Sequence, residues 1–219
     1  MTPTRIVFDL DGTLIDSAPD IQGIANDLLR AEGMEEIDLA QTHRFIGNGL
    51  GVFVTKMREL RGIPEDAQDR LVDAFTERYY TAYSRTALYP GVREALSALT
   101  KDHVLGICTN KLLGPCHAVL KHLAIDHFFS IVVGGDSLPT RKPDPEMLFA
   151  AFDALGSGPM IYVGDSEVDA QTAQRAHVPF LLFTQGYRKS SVDQIPHSVA
   201  FDAYDAFPCL IEGQIKDAT

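Results

Sequence analysis

A series of short, uninterrupted apolar runs constrains this chain more than any other feature. They are Ile6–Phe8, Val104–Cys108, Ile131–Val133, Met160–Val163 and Pro179–Phe183. A strand that is apolar at every position has no face for water, so it must be covered on both sides. Segments of helical length lie between the later runs, near 92–100, 113–124, 145–155 and 167–176. Apolar strands alternating with helices specify an α/β fold, a doubly wound parallel sheet of Rossmann-like type. With 219 residues, 45% of them hydrophobic, the chain can fill such a core, as one large domain or two smaller ones. The tail from Val199, with Phe201, Tyr204, Phe207 and Leu210, is expected to add a last strand and helix.

The stretch from about Ser17 to Arg85 breaks this rhythm and contains no convincing strand. Ser17 and Asp20 have the spacing of a capping box, and Ile21, Ile24, Ala25, Leu28 and Leu29 then form one apolar face. Further helices are expected at about Leu39–Phe45, Gly51–Leu60 and Glu65–Ser84. The chain therefore divides into a core of residues 1–15 and 86–219 and an all-helical insert of 16–85.

The first apolar run leads into Asp9-Leu10-Asp11-Gly12-Thr13. Residues i and i+2 of an extended segment point to one side, so the two carboxylates start close together. Burying both requires a bound cation or a raised pKa. By itself the stretch also suits a plain turn. Ligands of open parallel sheets bind beyond the C-terminal strand ends, and here those ends all carry polar groups. Thr109-Asn110 follows the second run, Arg141-Lys142-Pro143 precedes a helix, and Gly164-Asp165-Ser166-Glu167-Val168-Asp169 follows the fourth.

A net charge of −11 disfavours nucleic acid and anionic membranes as partners, and an anionic substrate would need cations gathered at its site. No run is long enough to span a bilayer, and the N-terminus has no signal-peptide pattern. Cys108, Cys116 and Cys209 are odd in number and far apart, as reduced thiols of a cytoplasmic protein would be. His117, His122 and His127 lack metal-ligand spacing.

In order and type, these motifs resemble the haloacid dehalogenase superfamily, in its phosphatase branch with a small helical cap. The resemblance spans essentially the whole chain. It implies Mg²⁺-dependent hydrolysis of a small phosphate monoester through an aspartyl-phosphate. Asp9 would be the nucleophile, and Asp11 would protonate the leaving alkoxide and then activate water. Asp9, the main-chain carbonyl of Asp11 and Asp165 would hold the metal. Lys142 and Thr109 would meet the phosphate, and Asp169 would support Lys142 or the metal's waters. Asp11 separates this branch from related dehalogenases and phosphonate hydrolases, which lack a proton donor there, and makes Lys56 a surface lysine rather than a Schiff-base group.

Arg44-Phe45-Ile46-Gly47-Asn48-Gly49 is similar to the cap loop of bacterial phosphoglycolate phosphatases, as are the surroundings of Tyr89-Pro90-Gly91, Thr109-Asn110-Lys111 and Gly186-Tyr187. This implies 2-phosphoglycolate as the leading substrate, with Arg44, Asn48 and Asn110 among the substrate contacts. Glu167-Val168 departs from the family's Arg-Asn pair, and His177 stands where a glycine usually ends the helix. The alternatives are another small phosphoester, a sugar phosphomutase, or a non-catalytic binding protein. The expected partner is a small phosphorylated metabolite, and the expected state a monomer or homodimer.

Overall fold

The computed structural model describes residues 2–217, with side chains described through residue 214. Six strands form one sheet: β1 (Arg5–Phe8), β4 (Val104–Cys108), β5 (Ile131–Val133), β6 (Met160–Gly164), β7 (Phe180–Phe183) and β8 (Val199–Phe201). Their order is β5-β4-β1-β6-β7-β8, and every neighbouring pair is parallel. Order reverses around β1, which makes its C-terminal end the natural place for a ligand crevice.

Both faces are covered, as fully apolar strands demand. On one face Ile6 and Phe8 pack with α5 (Val92–Leu99), α6 (Leu113–His122) and α9 (Phe207–Asp217). On the other, Val7, Tyr162 and Leu182 pack with α7 (Glu146–Ala154) and α8 (Glu167–Ala176). The tail supplies β8 and α9, as its aromatic spacing suggested.

Between β1 and β4 the chain leaves the sheet through a two-stranded antiparallel ribbon, β2 (Ile15–Asp16) with β3 (Ala87–Leu88). Four helices stand between its strands: α1 (Ala18–Ala31), α2 (Leu39–Phe45), α3 (Leu50–Leu60) and α4 (Gln68–Tyr79). They share their own apolar cluster, with Leu28, Phe53, Met57, Leu71 and Phe75 at its centre.

Two local expectations change. The capping box at Ser17 is absent, because both side chains have other partners. The Ser17 hydroxyl donates to Asp11 Oδ1 (2.5 Å), and Asp20 accepts from the Arg85 amide (2.9 Å) and the Thr86 hydroxyl (2.7 Å). The last helix of the insert is shorter than 65–84. Residues Glu65–Ala67 form a single 3-10 turn and α4 ends at Tyr79, because the chain must return to the ribbon where Asp20 holds it.

Candidate active site

The site is assembled from strand ends. Just past β1, the Asp9 amide donates to Val163 O of β6 (2.8 Å), which ties its main chain to the neighbouring strand. Asp9 Oδ1 accepts from Lys142 Nζ at 2.8 Å. The same ammonium donates to Asp169 Oδ1 (2.7 Å) and the Tyr162 hydroxyl (2.9 Å). Asp169 also accepts from the hydroxyls of Tyr162 (2.7 Å) and Ser166 (2.6 Å), and a capping box at the start of α8 is formed by the Ser166 amide donating to Asp169 Oδ2 (3.2 Å) and the Asp169 amide donating to the Ser166 hydroxyl oxygen (3.3 Å). Asp165 is held by the Thr13 hydroxyl (2.8 Å) and the Tyr187 amide (2.6 Å). Close backbone approach makes this possible. A Cβ on Gly12, whose φ is 91°, would lie 2.5 Å from Asp165 Oδ2, and one on Gly164 would lie 2.5 Å from Asp169 Cβ.

Asp9, Asp165 and Asp169 bring carboxylate oxygens within 4.8 Å of one another, all buried. Burial pushes Asp9 up to about 7 against the pull of Lys142. Burial, then Asp169 and Asp9, hold Asp165 well above the ordinary carboxylate range. Burial also penalises Asp169, but Lys142 and the hydroxyl donors outweigh it and keep its pKa low. Three clustered carboxylates thus have one adjacent ammonium, Lys142, which pairs with Asp9 and Asp169. A hard divalent cation, which prefers oxygen donors, fits this donor set and the missing charge.

Asp11 faces the other way. It accepts from Ser17 and from Lys111 Nζ (3.2 and 3.4 Å), and Lys111 also donates to the Tyr79 hydroxyl at the end of α4 (2.6 Å). Burial works against the Lys111 ammonium, but Asp11 and Tyr79 outweigh it and hold its pKa above the usual lysine value. The two neighbouring aspartates therefore avoid mutual repulsion by each having a lysine of its own. Beneath the insert, the Tyr187 hydroxyl donates to Asp16 (2.6 Å) and accepts from the amides of Ser17 (2.8 Å) and Ala18 (3.1 Å), bracing the chain's exit from the core.

Asp9, Asp11, Thr109, Asn110, Lys142 and Asp165 all line one cavity between sheet and insert. Asp169 lies behind it, against Lys142. Thr109 is buried at the end of β4, where its hydroxyl accepts from the Lys111 amide (3.2 Å). The Asn110 side chain is engaged on both ends. It donates to Gly47 O (2.9 Å) and Lys142 O (3.0 Å) and accepts from the Lys142 amide (3.1 Å), bracing the lysine loop against the insert. Neither Arg44 nor Asn48 lines the cavity, and Arg44 is exposed on α2. From that loop Ile46, Gly47 and Gly49 line the cavity instead.

Sequence patterns gave no role to Lys111, Tyr79, Tyr162, Tyr187 or Lys189, which all touch the site. Lys111 was the most visible of them, directly after Thr109-Asn110 at a strand end. The tyrosines sit at ordinary apolar positions of a helix, a strand and a loop. The departures also have a structural account. Glu167 accepts from the amides of Lys189 (2.8 Å) and Ser190 (2.5 Å), and His177 adopts the left-handed conformation (φ 55°) at the end of α8. Cys108 lies beside the cluster, where burial raises its thiol to about 12 and leaves it unreactive.

The profile of the haloacid dehalogenase-like hydrolase family matches residues 6–183. A phosphoglycolate phosphatase of Rhodobacter capsulatus is 44% identical over 213 residues, covering 95% of this chain and 96% of that protein. One from Rhodospirillum rubrum is 35% identical, covering 92% and 88%. The crystal structure of a predicted phosphoglycolate phosphatase from Haemophilus somnus 129pt superposes with a TM-score of 0.90 at 28% identity, covering 96% of this chain and 99% of that one. With a six-stranded parallel sheet in the same architecture, the chain belongs to the haloacid dehalogenase-like hydrolase family, as a phosphoric monoester hydrolase.

Proposed function

We propose that the enzyme hydrolyses small phosphate monoesters, 2-phosphoglycolate foremost, through an aspartyl-phosphate on Asp9 with Mg²⁺ as cofactor. The observation that carries this reading is the Asp9 carboxylate, held at 2.8 Å by Lys142 in a cluster with Asp165 and Asp169 and opening into the same cavity as Asp11. The names of the relatives support the substrate.

Asp9 attacks phosphorus, and the bond from phosphorus to the ester oxygen breaks. Asp11, on the side of the insert, gives its proton to the departing alkoxide. It then takes a proton from the water that attacks phosphorus and frees Asp9 and phosphate. Lys142 holds Asp9 in place and offsets phosphate charge, and Thr109 offers its hydroxyl to a phosphate oxygen. Asp9 and Asp165, with the carbonyl of Asp11, would hold Mg²⁺, and Asp169 would keep Lys142 oriented. When bound, the ion screens the repulsion between carboxylate and phosphate and polarises the phosphoryl oxygens. The insert of 16–85 serves as a cap over the core of 1–15 and 86–219. Its apolar wall of Ile21, Ile46, Leu50, Phe53 and Phe75 keeps bulk water from the reaction.

The test is phosphate release from 2-phosphoglycolate and a panel of other phosphomonoesters, with Mg²⁺ and with chelator, alongside Asp9→Asn. Preference for 2-phosphoglycolate, abolished by chelator and reduced on the order of 10⁴-fold or more by the substitution, is the expected result. An active Asp9→Asn enzyme would refute the covalent route.

A further inference from the structure

Three lysines line the cavity: Lys111, Lys142 and Lys189. Two have no capacity to spare. Lys142 is engaged by Asp9, Asp169 and Tyr162, and Lys111 by both oxygens of Asp11 and by Tyr79. Lys189 differs. Among the described residues its Nζ makes one hydrogen bond, to the main-chain carbonyl of Ile46 (3.2 Å). An ammonium has three donors, so two remain.

The charged groups around it are Lys56 on α3, Glu167 and Asp165. Lys56 repels it. Glu167 offsets part of its charge, but Glu167 Oε1 is occupied by the amides of Lys189 and Ser190. Asp165 already has the Thr13 hydroxyl and the Tyr187 amide. Burial, then Lys56, lower the Lys189 pKa below the usual lysine value against the pull of Glu167 and Asp165. Glu167 pins the main chain of the loop, so the lysine is presented from a fixed backbone. Apart from Tyr79, the described cap residues that line the cavity are apolar or glycine and none is a cation, Arg44 being exposed outside it.

We infer that the Lys189 ammonium receives the second anionic group of the substrate, so that the enzyme selects phosphomonoesters whose alcohol portion carries a carboxylate. This rests on the proposal that the phosphoryl group sits at Asp9 and Lys142. The substrate then spans the cavity with one anionic end at the buried cluster and the other at Lys189. Selectivity is thus supplied from the core, by a loop after β7, and not by the polar residues of the cap.

The test compares kcat/KM for 2-phosphoglycolate and for ethyl phosphate, a similar ester without the carboxylate, in the unmodified enzyme, Lys189→Met and Lys189→Arg. The expected result is preference for 2-phosphoglycolate in the unmodified enzyme and a fall of about tenfold or more in the ratio for Lys189→Met, chiefly through KM. Lys189→Arg should retain most of the ratio. An unchanged ratio in Lys189→Met, with preference intact in the unmodified enzyme, would overturn the role of Lys189 and leave the substrate standing. Equal losses on both esters would make Lys189 a latch to Ile46 and also overturn it. Equal turnover of the two esters by the unmodified enzyme would remove the substrate proposal and the receptor together.

Discussion

The two walls of the cavity are built on different principles. On the core side, the polar groups that line the cavity come from strand ends or the loops behind them, and the buried Lys111, Lys142 and Asp165 are each held by several partners. Lys142, for instance, is fixed by three side chains and by the Asn110 brace on its main chain. On the cap side, among the described residues, Tyr79 supplies the one polar side chain that lines the cavity, and the rest is apolar side chain or glycine backbone. A parallel sheet offers adjacent strand ends at fixed spacing, which suits groups that must be positioned to a fraction of an ångström. A small helical cluster packs by side-chain burial and suits exclusion of water. Under the proposed function, the sheet supplies the chemistry and the helices the enclosure.

Lys142→Met should break this comparison most severely. Without its ammonium, Asp9 and Asp169 are left as buried carboxylates with no cation between them. A loss of about 3–5 kcal/mol is expected in denaturant melts with chelator, and turnover should be lost with it. A stable variant would mean that the cluster does not depend on the lysine. Lys111→Met tests the seam between the walls, because Lys111 joins Asp11 of the core to Tyr79 of the cap. A fall in kcat of about 10²-fold, larger than any change in KM, is expected if it positions Asp11. A change in KM alone would make it a cap contact.

The pH dependence sharpens the core side. Burial raises Asp9 to about 7, well above its unfolded value, so between those values the native state holds a proton that the unfolded chain has lost. Its contribution to stability is full below the unfolded value and disappears as pH rises through about 7. A divalent cation competes with that proton. The rise in Tm on adding Mg²⁺ should therefore be larger at pH 8 than at pH 6, and an equal rise at both would count against Asp9 as a ligand. The smallest effect belongs to the cap surface. Arg44→Ala should leave kcat/KM for 2-phosphoglycolate within about twofold, since the side chain is exposed and away from the cavity. A tenfold loss would show that the cap brings Arg44 inward during turnover.

Legibility followed the range of the interactions. The sheet and the insert could be read because strand burial and helical faces leave periodic patterns within a few residues. α2, at Leu39–Phe45, matched its expected span because Asp38 and Gln41 form a local capping box. The helix expected to reach Ser84 stopped at Tyr79 because its end is set by Asp20, Arg85 and Thr86, partners distant in sequence. The same limit held at the site. The strand-end motifs were visible as local sequence, but the brace of Asn110 on Lys142 spans 32 positions and the bond from Lys189 to Ile46 spans 143.

By itself, the sequence determined the parallel sheet, the helical insert and the residue types gathered at the strand ends, since each is encoded in contiguous apolar or polar spacing. Only the tertiary structure decided which lysine serves which aspartate, why Arg44 stands outside while Lys189 stands inside, and which groups keep hydrogen-bonding capacity for a substrate. Pairing and burial of charge depend on where loops from distant positions meet, and no local periodicity records that.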